Sequence, residues 1–292
     1  MRFDEQYERY LALAGQALQA QADAIFQDGS RVSEAARYSL FSGGKRVRAV
    51  LCLAVCDMLD GEMLRAAAYA AGVEMLHCYS LIHDDLPCMD DDDTRRGKPS
   101  CHKAFGEDTA LLAGDALQTA AFEAVAGAAG GGARNADAAV CLAGAAGARG
   151  MVYGQELDLC YETTRASESQ LEQIHRHKTG ALINAAVQMG AIAAGASGEQ
   201  RRQLEEYAYG LGLVFQIVDD ILDVTSTSEA LGKPVGSDAH NGKSTFVSLY
   251  GVERAQQLAQ QVNARACGAL EPFGEKAAFL RSLADKLLVR RR

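Results

Sequence analysis

Apolar residues recur every three or four positions along most of this chain, and runs in which apolar and polar residues alternate are few. A repeat of that length places the apolar side chains on one face of a helix. Alanine-rich stretches at residues 66–71 and 181–196 favour the same structure, because alanine has the highest helix propensity. The pattern predicts about ten helices and an all-α protein.

Polar and glycine-rich segments separate the predicted helices. No change in composition divides the chain, so residues 1–292 are predicted to form one domain, a helical bundle. The alanine- and glycine-rich stretch 124–150 fits closely packed helices better than a low-complexity linker. The longest polar segment, 225–243, is expected to be a functional loop such as a lid. Turns are expected near residues 28–33, 43–45, 91–106, 130–135, 163–168, 225–243 and 272–276.

Composition excludes several classes of function. With 292 residues, of which 48% are hydrophobic, the chain can bury one large core. Its formal net charge of −9 argues against non-specific binding to nucleic acid, which requires a basic surface. The eight cysteines include no CxxC pair and lie mostly among apolar residues, which indicates reduced thiols in a cytoplasmic protein.

Neither of the two segments that could direct the chain to a membrane has the required pattern. Residues 1–27 predict an amphipathic helix that carries Glu and Gln, whereas a signal peptide begins with a basic region and continues with an apolar one. Residues 181–196 are apolar, but they are short for a membrane span and include Asn184 and Gln188. We therefore expect no membrane span.

Two blocks of aspartates interrupt the helical pattern, DDLPCMD at residues 84–90 and DDILD at residues 219–223. Like charges in contact repel each other by about 4 kcal/mol where the effective dielectric constant is near 20. Apolar residues precede both blocks, so the carboxylates belong to helices and a bound cation is the favoured explanation. A solvated acidic loop is the alternative, and it fits the continuation at residues 91–93 better.

The spacing within each block differs. Asp219 and Asp223 are four residues apart, so a helix places their carboxylates on one face at about 6 Å, which suits a shared divalent ion. Asp84 and Asp90 are six residues apart, about 240° around a helix, and they converge only if Pro87 distorts that helix. No His or Cys lies at zinc spacing, so the oxygen ligands indicate Mg²⁺ and, with it, a phosphorylated ligand.

Three short basic segments complement these carboxylates: GGKRVR at residues 43–48, RRGK at 95–98 and Lys178-Thr179. Lys233 and Lys243 add two more cations on the long polar segment. Arginine binds phosphate oxygens through two parallel hydrogen bonds. Together the segments indicate two anion sites, one bridged by metal and one formed directly by Lys and Arg.

These motifs, in this order, make the chain similar to the trans-isoprenyl diphosphate synthases, and it most closely resembles the bacterial-type farnesyl diphosphate synthases. A single DDxxD-like motif is unspecific, but two of them with the interleaved basic and glycine-containing motifs are not. The resemblance runs through GGKRVR (43–48), HCYSLIHDDLPCMDDDDTRRGKP (77–99), LLAGDALQ (111–118), GQELDL (154–159), KTGAL (178–182), FQIVDDILD (215–223) and GKS (242–244).

The resemblance implies a single-domain helical bundle around a central cavity, with the two aspartate motifs on opposite walls, and a homodimer. It also implies the reaction, in which an allylic diphosphate ionises and isopentenyl diphosphate attacks the cation.

The resemblance further implies roles for individual residues. The Mg²⁺ ligands would be Asp84, Asp90 and Asp219, with three ions when substrate is bound, and Asp85, Asp220 and Asp223 would support them. The allylic diphosphate would contact Arg95, Lys178 and Lys233, with Thr179, Gln216 and Lys243 nearby. Isopentenyl diphosphate would contact Lys45, Arg48, His77 and Arg96.

Catalysis is assigned to Asp84, Asp85, Asp90, Arg95, Lys178 and Asp219. A lone His on an apolar helix is usually a core residue, but the position of His77 in its motif favours substrate contact.

Most relatives have Pro after GGKRxR, whereas this chain has Ala49, which is expected to change only the start of the helix. The arginines at residues 290–292 are expected to be a frayed basic end.

Product length is expected to depend on the residues that precede the first aspartate motif. Tyr79 would form the floor of the hydrocarbon cavity, and Ser80 is too small to block it. In this family that pattern, with the two-residue enlargement of the first aspartate motif, indicates a C15 rather than a C20 product. A geranylgeranyl diphosphate synthase is the nearest alternative. A terpene cyclase normally lacks the second motif, and an inactive partner subunit of a heteromeric synthase usually loses one motif, whereas both are present here.

Overall fold

A computed structural model describes residues 2–161, 164–225 and 244–290. The described residues are predominantly helical, which confirms the predicted all-α class. The α-helices are α1 (Phe3–Ile25), α2 (Arg31–Leu40), α3 (Val47–Met58), α4 (Met63–Asp84), α5 (Cys101–Phe105), α6 (Glu107–Ala126), α7 (Ala133–Ala146), α8 (Met151–Tyr161), α9 (Glu168–His175), α10 (Ala181–Ala194), α11 (Gly198–Thr225), α12 (Phe246–Tyr250), α13 (Val252–Gly268) and α14 (Ala278–Leu288).

Three elements other than α-helices complete the described part of the chain. A two-stranded antiparallel hairpin pairs Thr94–Arg95 (β1) with Lys98–Pro99 (β2). A π-helical turn spans Arg176–Gly180 between α9 and α10, and a 3-10 helix spans Glu271–Ala277. The hairpin and the π-helical turn both carry predicted site residues.

Several helix boundaries differ from the prediction. The break at residues 59–62 was not predicted, and there Asp60 takes a positive φ of 54°. The predicted turn at 91–106 contains the short helix α5. The predicted loop at 225–243 lies outside the described residues, apart from its first residue, as do Lys233 and Lys243.

The chain forms two compact units, and the first comprises Met1–Leu142 and Met189–Gly195. In this unit α4 packs against α1, α3 and α6. Gly72 on α4 leaves no room for a Cβ atom, because the carbonyl oxygen of Ala121 and the side chain of Val125 on α6 lie there. The close approach of these two helices buries Tyr69, Met75, Leu76 and Leu117.

The second unit comprises Ala143–Gln188 and Ala196–Arg292. Here the long helix α11 packs against α13, α14 and the π-helical turn. A cluster that includes Leu171, Val214, Ile217 and Phe246 forms its apolar core. Gly212 allows the backbone of α11 to approach Gly180 at the end of the π-helical turn.

No described helix combines the length and apolar character that crossing a bilayer requires. All eight cysteines are free thiols, and four of them, Cys52, Cys56, Cys78 and Cys101, are buried.

Candidate active site

The first aspartate motif is shaped by the end of α4. The helix ends at Asp84, and the amide of Asp90 donates a hydrogen bond to the carbonyl oxygen of Asp84 at 2.9 Å. The expected distortion of a continuing helix is therefore wrong in detail: the helix stops before Pro87, and a tight turn joins Asp84 to Asp90. Asp84 is half-buried and Asp90 is exposed.

Asp85 is the buried member of this motif, with 2% of its surface exposed. Its Oδ1 accepts hydrogen bonds from the Nε and Nη2 of Arg95, and Arg95 also pairs with Asp92 at 2.9 Å. Burial raises the pKa of Asp85 above its ordinary value, although the Arg95 guanidinium opposes that shift. Asp85 therefore supports Arg95 and the turn, while its two neighbours in the motif remain accessible.

The β1–β2 hairpin orients the two arginines of RRGK. Its two central residues, Arg96 and Gly97, both have positive φ, at 55° and 75°. Tight hairpins with both central φ values positive match the twist of the flanking strands and favour glycine at the second position. The turn places Arg95 on the aspartate motif and leaves Arg96 for a different partner.

Arg96 contacts the glycine pair of the first basic segment. Its Nη1 donates to the carbonyl oxygen of Gly43 at 2.6 Å. A Cβ atom on Gly44 would overlap the guanidinium of Arg96, and φ at Gly44 is +114°. The positive φ favours glycine at residue 44, and the missing Cβ atom there makes room for the Arg96 guanidinium.

Arg96, Arg48 and His77 share one electropositive environment. Burial lowers the pKa of His77 well below its ordinary value, and the positive charges of Arg48, Arg96, Arg46 and Arg95 lower it further. Burial also lowers the pKa of Arg48 and of Arg96. The buried Nε of Arg48 has no hydrogen-bond partner in the described part of the chain. The structure thus brings together three of the four residues expected at the isopentenyl diphosphate site, around a neutral histidine.

The fourth, Lys45, is exposed, and its carbonyl oxygen accepts a hydrogen bond from the Tyr7 hydroxyl at 2.6 Å. The following residue, Arg46, is at the N-cap of α3 and has a positive φ of 51°. Its side chain pairs with Glu74 at 3.3 Å. The basic segment is therefore attached at two consecutive residues, Lys45 to α1 and Arg46 to α4.

Glu74 is a site residue that sequence reasoning missed. It is 2% exposed, and its Oε1 accepts a hydrogen bond from the amide of Ala49 at 3.1 Å. This bond satisfies an N–H group in the first turn of α3, and a proline at residue 49 could not form it. The available signal was an acidic residue three positions before His77 in an otherwise apolar run.

Tyr79, the expected floor of the hydrocarbon cavity, is 7% exposed. Its ring meets the ring of His83 edge-on, with centroids 5.2 Å apart. The Nε2 of His83 lies 3.0 Å from the carbonyl oxygen of Leu111, and Gly114 leaves room for the imidazole. The LLAGDALQ motif therefore supports His83 and, through it, Tyr79. Ser80 donates to the carbonyl oxygen of His77 at 2.9 Å.

The second aspartate motif lies on the last turns of α11. Asp219 is exposed, Asp220 is 7% exposed and Asp223 is 2% exposed. The Oδ2 of Asp220 accepts a hydrogen bond from the amide of Phe246 at 2.8 Å, next to the start of α12. Asp219 is therefore open to solvent and Asp223 is not, and the divalent ion expected to be shared between them stays a prediction.

Lys178 lies in the π-helical turn of the second unit. Its Nζ is 2.5 Å from the Oδ2 of Asp158 on α8. Thr179 follows it and is half-buried. On α11 the amide nitrogen of Gln216 lies 3.5 Å from the Oδ2 of Asp219. His175, before the turn, stacks on Phe246, and burial lowers its pKa to about 4.

Arg290 contradicts the expectation of a frayed basic end. It forms an ion pair with Asp219 and donates to the carbonyl oxygen of Phe215 at 2.9 Å. Its guanidinium carbon lies 3.9 Å from the centroid of the Phe215 ring. The last described residue therefore contacts the second motif directly. Residues 291 and 292 lie outside the described ranges.

The predicted site residues divide between the two units. The first unit contains the first aspartate motif, the RRGK hairpin, the isopentenyl diphosphate cluster and Tyr79. The second contains Lys178, Thr179, Gln216 and the second aspartate motif. Within residues 2–161, 164–225 and 244–290, no three carboxylate, imidazole or thiol groups form a ready-made metal cage. The carboxylates still suit Mg²⁺, which commonly takes few protein ligands and completes its shell with phosphate and water.

Comparison with known proteins gives concordant matches. Residues 30–273 match the family model described as polyprenyl synthetase. Geranylgeranyl pyrophosphate synthase 11, chloroplastic, from Arabidopsis thaliana is 46% identical over 271 residues, which cover 90% of this chain and 76% of that protein. The chloroplastic geranylgeranyl pyrophosphate synthase of Capsicum annuum is 48% identical over 270 residues, which cover 91% and 73% of the two chains.

Solved structures match over almost the whole length. An FPP/GFPP synthase from Zymomonas mobilis superposes with a TM-score of 0.88 and 34% identity, covering 99% of this chain and 100% of that one. A geranyltransferase from Legionella pneumophila gives a TM-score of 0.87 and 36% identity, covering 98% and 96%. The chain therefore belongs to the polyprenyl synthetase family, the trans-isoprenyl diphosphate synthases, which are prenyltransferases that elongate isoprenoid chains.

Proposed function

We propose that this protein condenses isopentenyl diphosphate with dimethylallyl or geranyl diphosphate and that its main product is (2E,6E)-farnesyl diphosphate. The allylic diphosphate ionises, the double bond of isopentenyl diphosphate attacks C1 of the resulting cation, and transfer of a proton to the departed diphosphate completes the longer chain. This chemistry needs two diphosphate-binding regions and an apolar space of limited depth.

Asp84, Asp90 and Asp219 are the residues that would hold Mg²⁺, with three ions expected when substrate is bound. Their accessibility supports this role, because the remaining aspartates of both motifs, Asp85, Asp220 and Asp223, are buried. When bound, Mg²⁺ neutralises the charge that develops on the departing diphosphate.

The cations of the chain bind and orient the leaving group in this proposal. Arg95, Lys178 and Lys233 contact the allylic diphosphate, with Thr179, Gln216 and Lys243 nearby. The two hydrogen bonds from Arg95 to Oδ1 of Asp85 support the assignment, since they fix one guanidinium beside the first motif. No protein nucleophile is required, because stabilising the charge of the leaving group is the main catalytic demand.

Isopentenyl diphosphate binds separately, at Lys45, Arg48, His77 and Arg96. The buried Nε of Arg48, without a partner in the described chain, supports an anionic ligand at this position. The lowered pKa of His77 means that its imidazole is neutral near pH 7 and can serve as both hydrogen-bond donor and acceptor. The charge on the diphosphate is then balanced by the surrounding arginines and Lys45.

The buried ring of Tyr79, five residues before Asp84, is the observation that carries the C15 assignment. A bulky side chain there limits how far the growing hydrocarbon can extend. Tyr79→Ala is expected to shift the main product from C15 to C20, and Tyr79→Phe, which keeps the ring, is the matched control. The test is to incubate each pure protein with Mg²⁺, isopentenyl diphosphate and each allylic starter, and to size the alcohols released by phosphatase.

Three results of this assay would contradict parts of the proposal. A wild-type product of C20 would replace the farnesyl assignment with a geranylgeranyl one. A Tyr79→Ala variant that still stops at C15 would place the limit elsewhere. A pure protein that elongates no starter would overturn the activity and would favour a subunit that needs a partner.

A geranylgeranyl diphosphate synthase is the second candidate, and the names of the plant relatives favour it. The Arabidopsis and Capsicum proteins described above are 46% and 48% identical to this chain, more than the 34% and 36% of the two bacterial structures. Overall identity, however, averages over the whole chain, whereas product length depends on a few residues of the cavity.

We further propose that the enzyme acts as a homodimer in the cytoplasm. The family resemblance supports the dimer, and the eight free thiols support a reducing compartment. Sedimentation equilibrium of the pure protein tests the assembly. A monomer that retains full activity would contradict it.

A further inference from the structure

The segment GQELDL, residues 154–159, lies on α8 and matches a motif of the synthases, although none of the proposed substrate contacts uses it. Two of its residues, Gly154 and Asp158, contact the π-helical turn that carries Lys178. They are four positions apart, so the helix presents both on one face. This face of α8 therefore meets the segment expected to bind the allylic diphosphate.

Asp158 fixes the end of the lysine side chain. The distance from its Oδ2 to the Nζ of Lys178 is 2.5 Å, and the two side chains are 22% and 25% exposed. A lysine on a flexible four-carbon stem loses much rotational freedom when it binds an anion, and a partner that holds it beforehand reduces that loss. An ammonium group has three N–H donors, so one bond to Asp158 leaves two for phosphate oxygens.

Gly154 fixes the backbone of the same residue. A Cβ atom at Gly154 would overlap the backbone of His177 and Lys178, so α8 approaches the π-helical turn at backbone distance. The ring of Tyr153 meets the ring of His177 edge-on, with centroids 5.0 Å apart. α8 thus constrains both the main chain and the charged end of Lys178.

We infer that Asp158 is a positioning residue that holds the Lys178 ammonium in place for the allylic diphosphate. The inference deepens the proposed function and rests on it. Charge alone gives the opposite expectation, because a carboxylate beside Lys178 repels a diphosphate and its removal would tighten binding. The sign of the effect of removing Asp158 therefore separates positioning from simple repulsion.

The first test compares Asp158→Ala with Glu156→Ala. Glu156 is an exposed carboxylate on the same helix, so both variants remove one negative charge from α8. Asp158→Ala is expected to raise the KM for the allylic diphosphate about tenfold, the scale of losing one hydrogen bond between charged groups, and to leave the KM for isopentenyl diphosphate within about twofold. Glu156→Ala is expected to change neither constant by more than about twofold. An unchanged or lower allylic KM in Asp158→Ala would overturn the inference.

The second test asks whether Asp158 acts through Lys178. In a Lys178→Gln background, Asp158→Ala is expected to have no further effect beyond about twofold, because the group that it positions is absent. A further tenfold loss in the double variant would show an independent role and overturn the inference. If Asp158→Ala does not fold, as judged by its thermal unfolding, Asp158→Asn keeps the shape of the side chain and is expected to show the same direction of change.

Binding of inorganic diphosphate in the presence of Mg²⁺, measured by calorimetry, provides a readout without turnover. Weaker binding by Asp158→Ala and unchanged binding by Glu156→Ala support the inference, and equal affinity in wild type and Asp158→Ala would overturn it. If the wild-type protein elongates no starter but Asp158→Ala still weakens diphosphate binding, the proposed function fails while the positioning of Lys178 stands.

Discussion

The two aspartate motifs have similar sequences but receive their arginine partners from different distances along the chain. In the first, the buried Asp85 pairs with Arg95, ten residues later, on a hairpin that follows directly. In the second, the exposed Asp219 pairs with Arg290, 71 positions later and beyond the last helix. The first motif therefore obtains its ion pair from local turn geometry, whereas the ion pair of the second depends on tertiary packing.

Burial, by contrast, divides the residues of both motifs in the same way. Asp84 and Asp219 are accessible, and the next residue in each motif, Asp85 or Asp220, is buried and bonded to neighbouring structure. A consecutive Asp-Asp pair on a helix thus points one carboxylate outward and one inward. In our proposal the outward residue holds metal and the inward residue holds the motif in shape.

The largest expected effect comes from removing the outward carboxylates. Asp84→Ala and Asp219→Ala are each expected to lower kcat by about 1,000-fold or more, because each removes a proposed ligand of the ions that neutralise the leaving group. Steady-state rates with saturating Mg²⁺ measure this. Asp93→Ala, which removes an exposed carboxylate that pairs with Lys103, is the control and is expected to stay within about twofold. Near-normal rates in either variant would remove its metal assignment.

Low pH is expected to lower the free energy of unfolding of the second unit, in which His175 stacks on Phe246. Burial lowers the pKa of His175 from 6.5 to about 4, so the unfolded chain binds the extra proton first as the pH falls. The free energy of unfolding should therefore fall by about 3 kcal/mol between pH 7 and pH 4 on account of this residue. Urea unfolding of wild type and of His175→Phe, which keeps a ring beside Phe246, measures the difference. An identical pH dependence in the two proteins would contradict the prediction.

The smallest expected effect concerns competition between the Arg290 guanidinium and Mg²⁺ for the Asp219 carboxylate. Arg290→Gln removes the cation that pairs with Asp219, so the Mg²⁺ concentration for half-maximal binding should fall about two- to fivefold, the scale of a weak ion-pair competition at a partly exposed carboxylate. Calorimetric titration of Mn²⁺ or Mg²⁺ with inorganic diphosphate measures this directly. Lys286→Gln, on α14, controls for the loss of one positive charge. Weaker metal binding in Arg290→Gln would mean that the arginine orients Asp219 for the ion.

Residues that depend on near neighbours in sequence could be predicted, and residues that depend on distant ones could not. Arg95 follows the first aspartate motif within a few residues, so its position in the sequence indicated its contact with that motif. Glu74 accepts its hydrogen bond from Ala49, 25 positions away, and Arg290 meets Asp219 only through the packing of α14. No local pattern records such contacts.

For the fold, too, some features could be predicted from the sequence and others could not. Helical periodicity predicted the all-α class because each helix presents its own apolar face to the core. The break at residues 59–62 was missed because it contains a single glycine within an otherwise helical pattern. Burial of Asp223 could not be read from the spacing either, since the same face of α11 that exposes Asp219 becomes covered one turn later.

The hydrogen bond between the Ala49 amide and Glu74 has a consequence for engineering this enzyme. Copying the residue that most related sequences carry is a common route to greater thermal resistance. At residue 49 the family resemblance implies proline, and that exchange would remove the amide hydrogen and leave one oxygen of a buried carboxylate without its donor. A consensus substitution of Ala49 by proline is therefore expected to destabilise this chain, because it removes the hydrogen bond to Glu74.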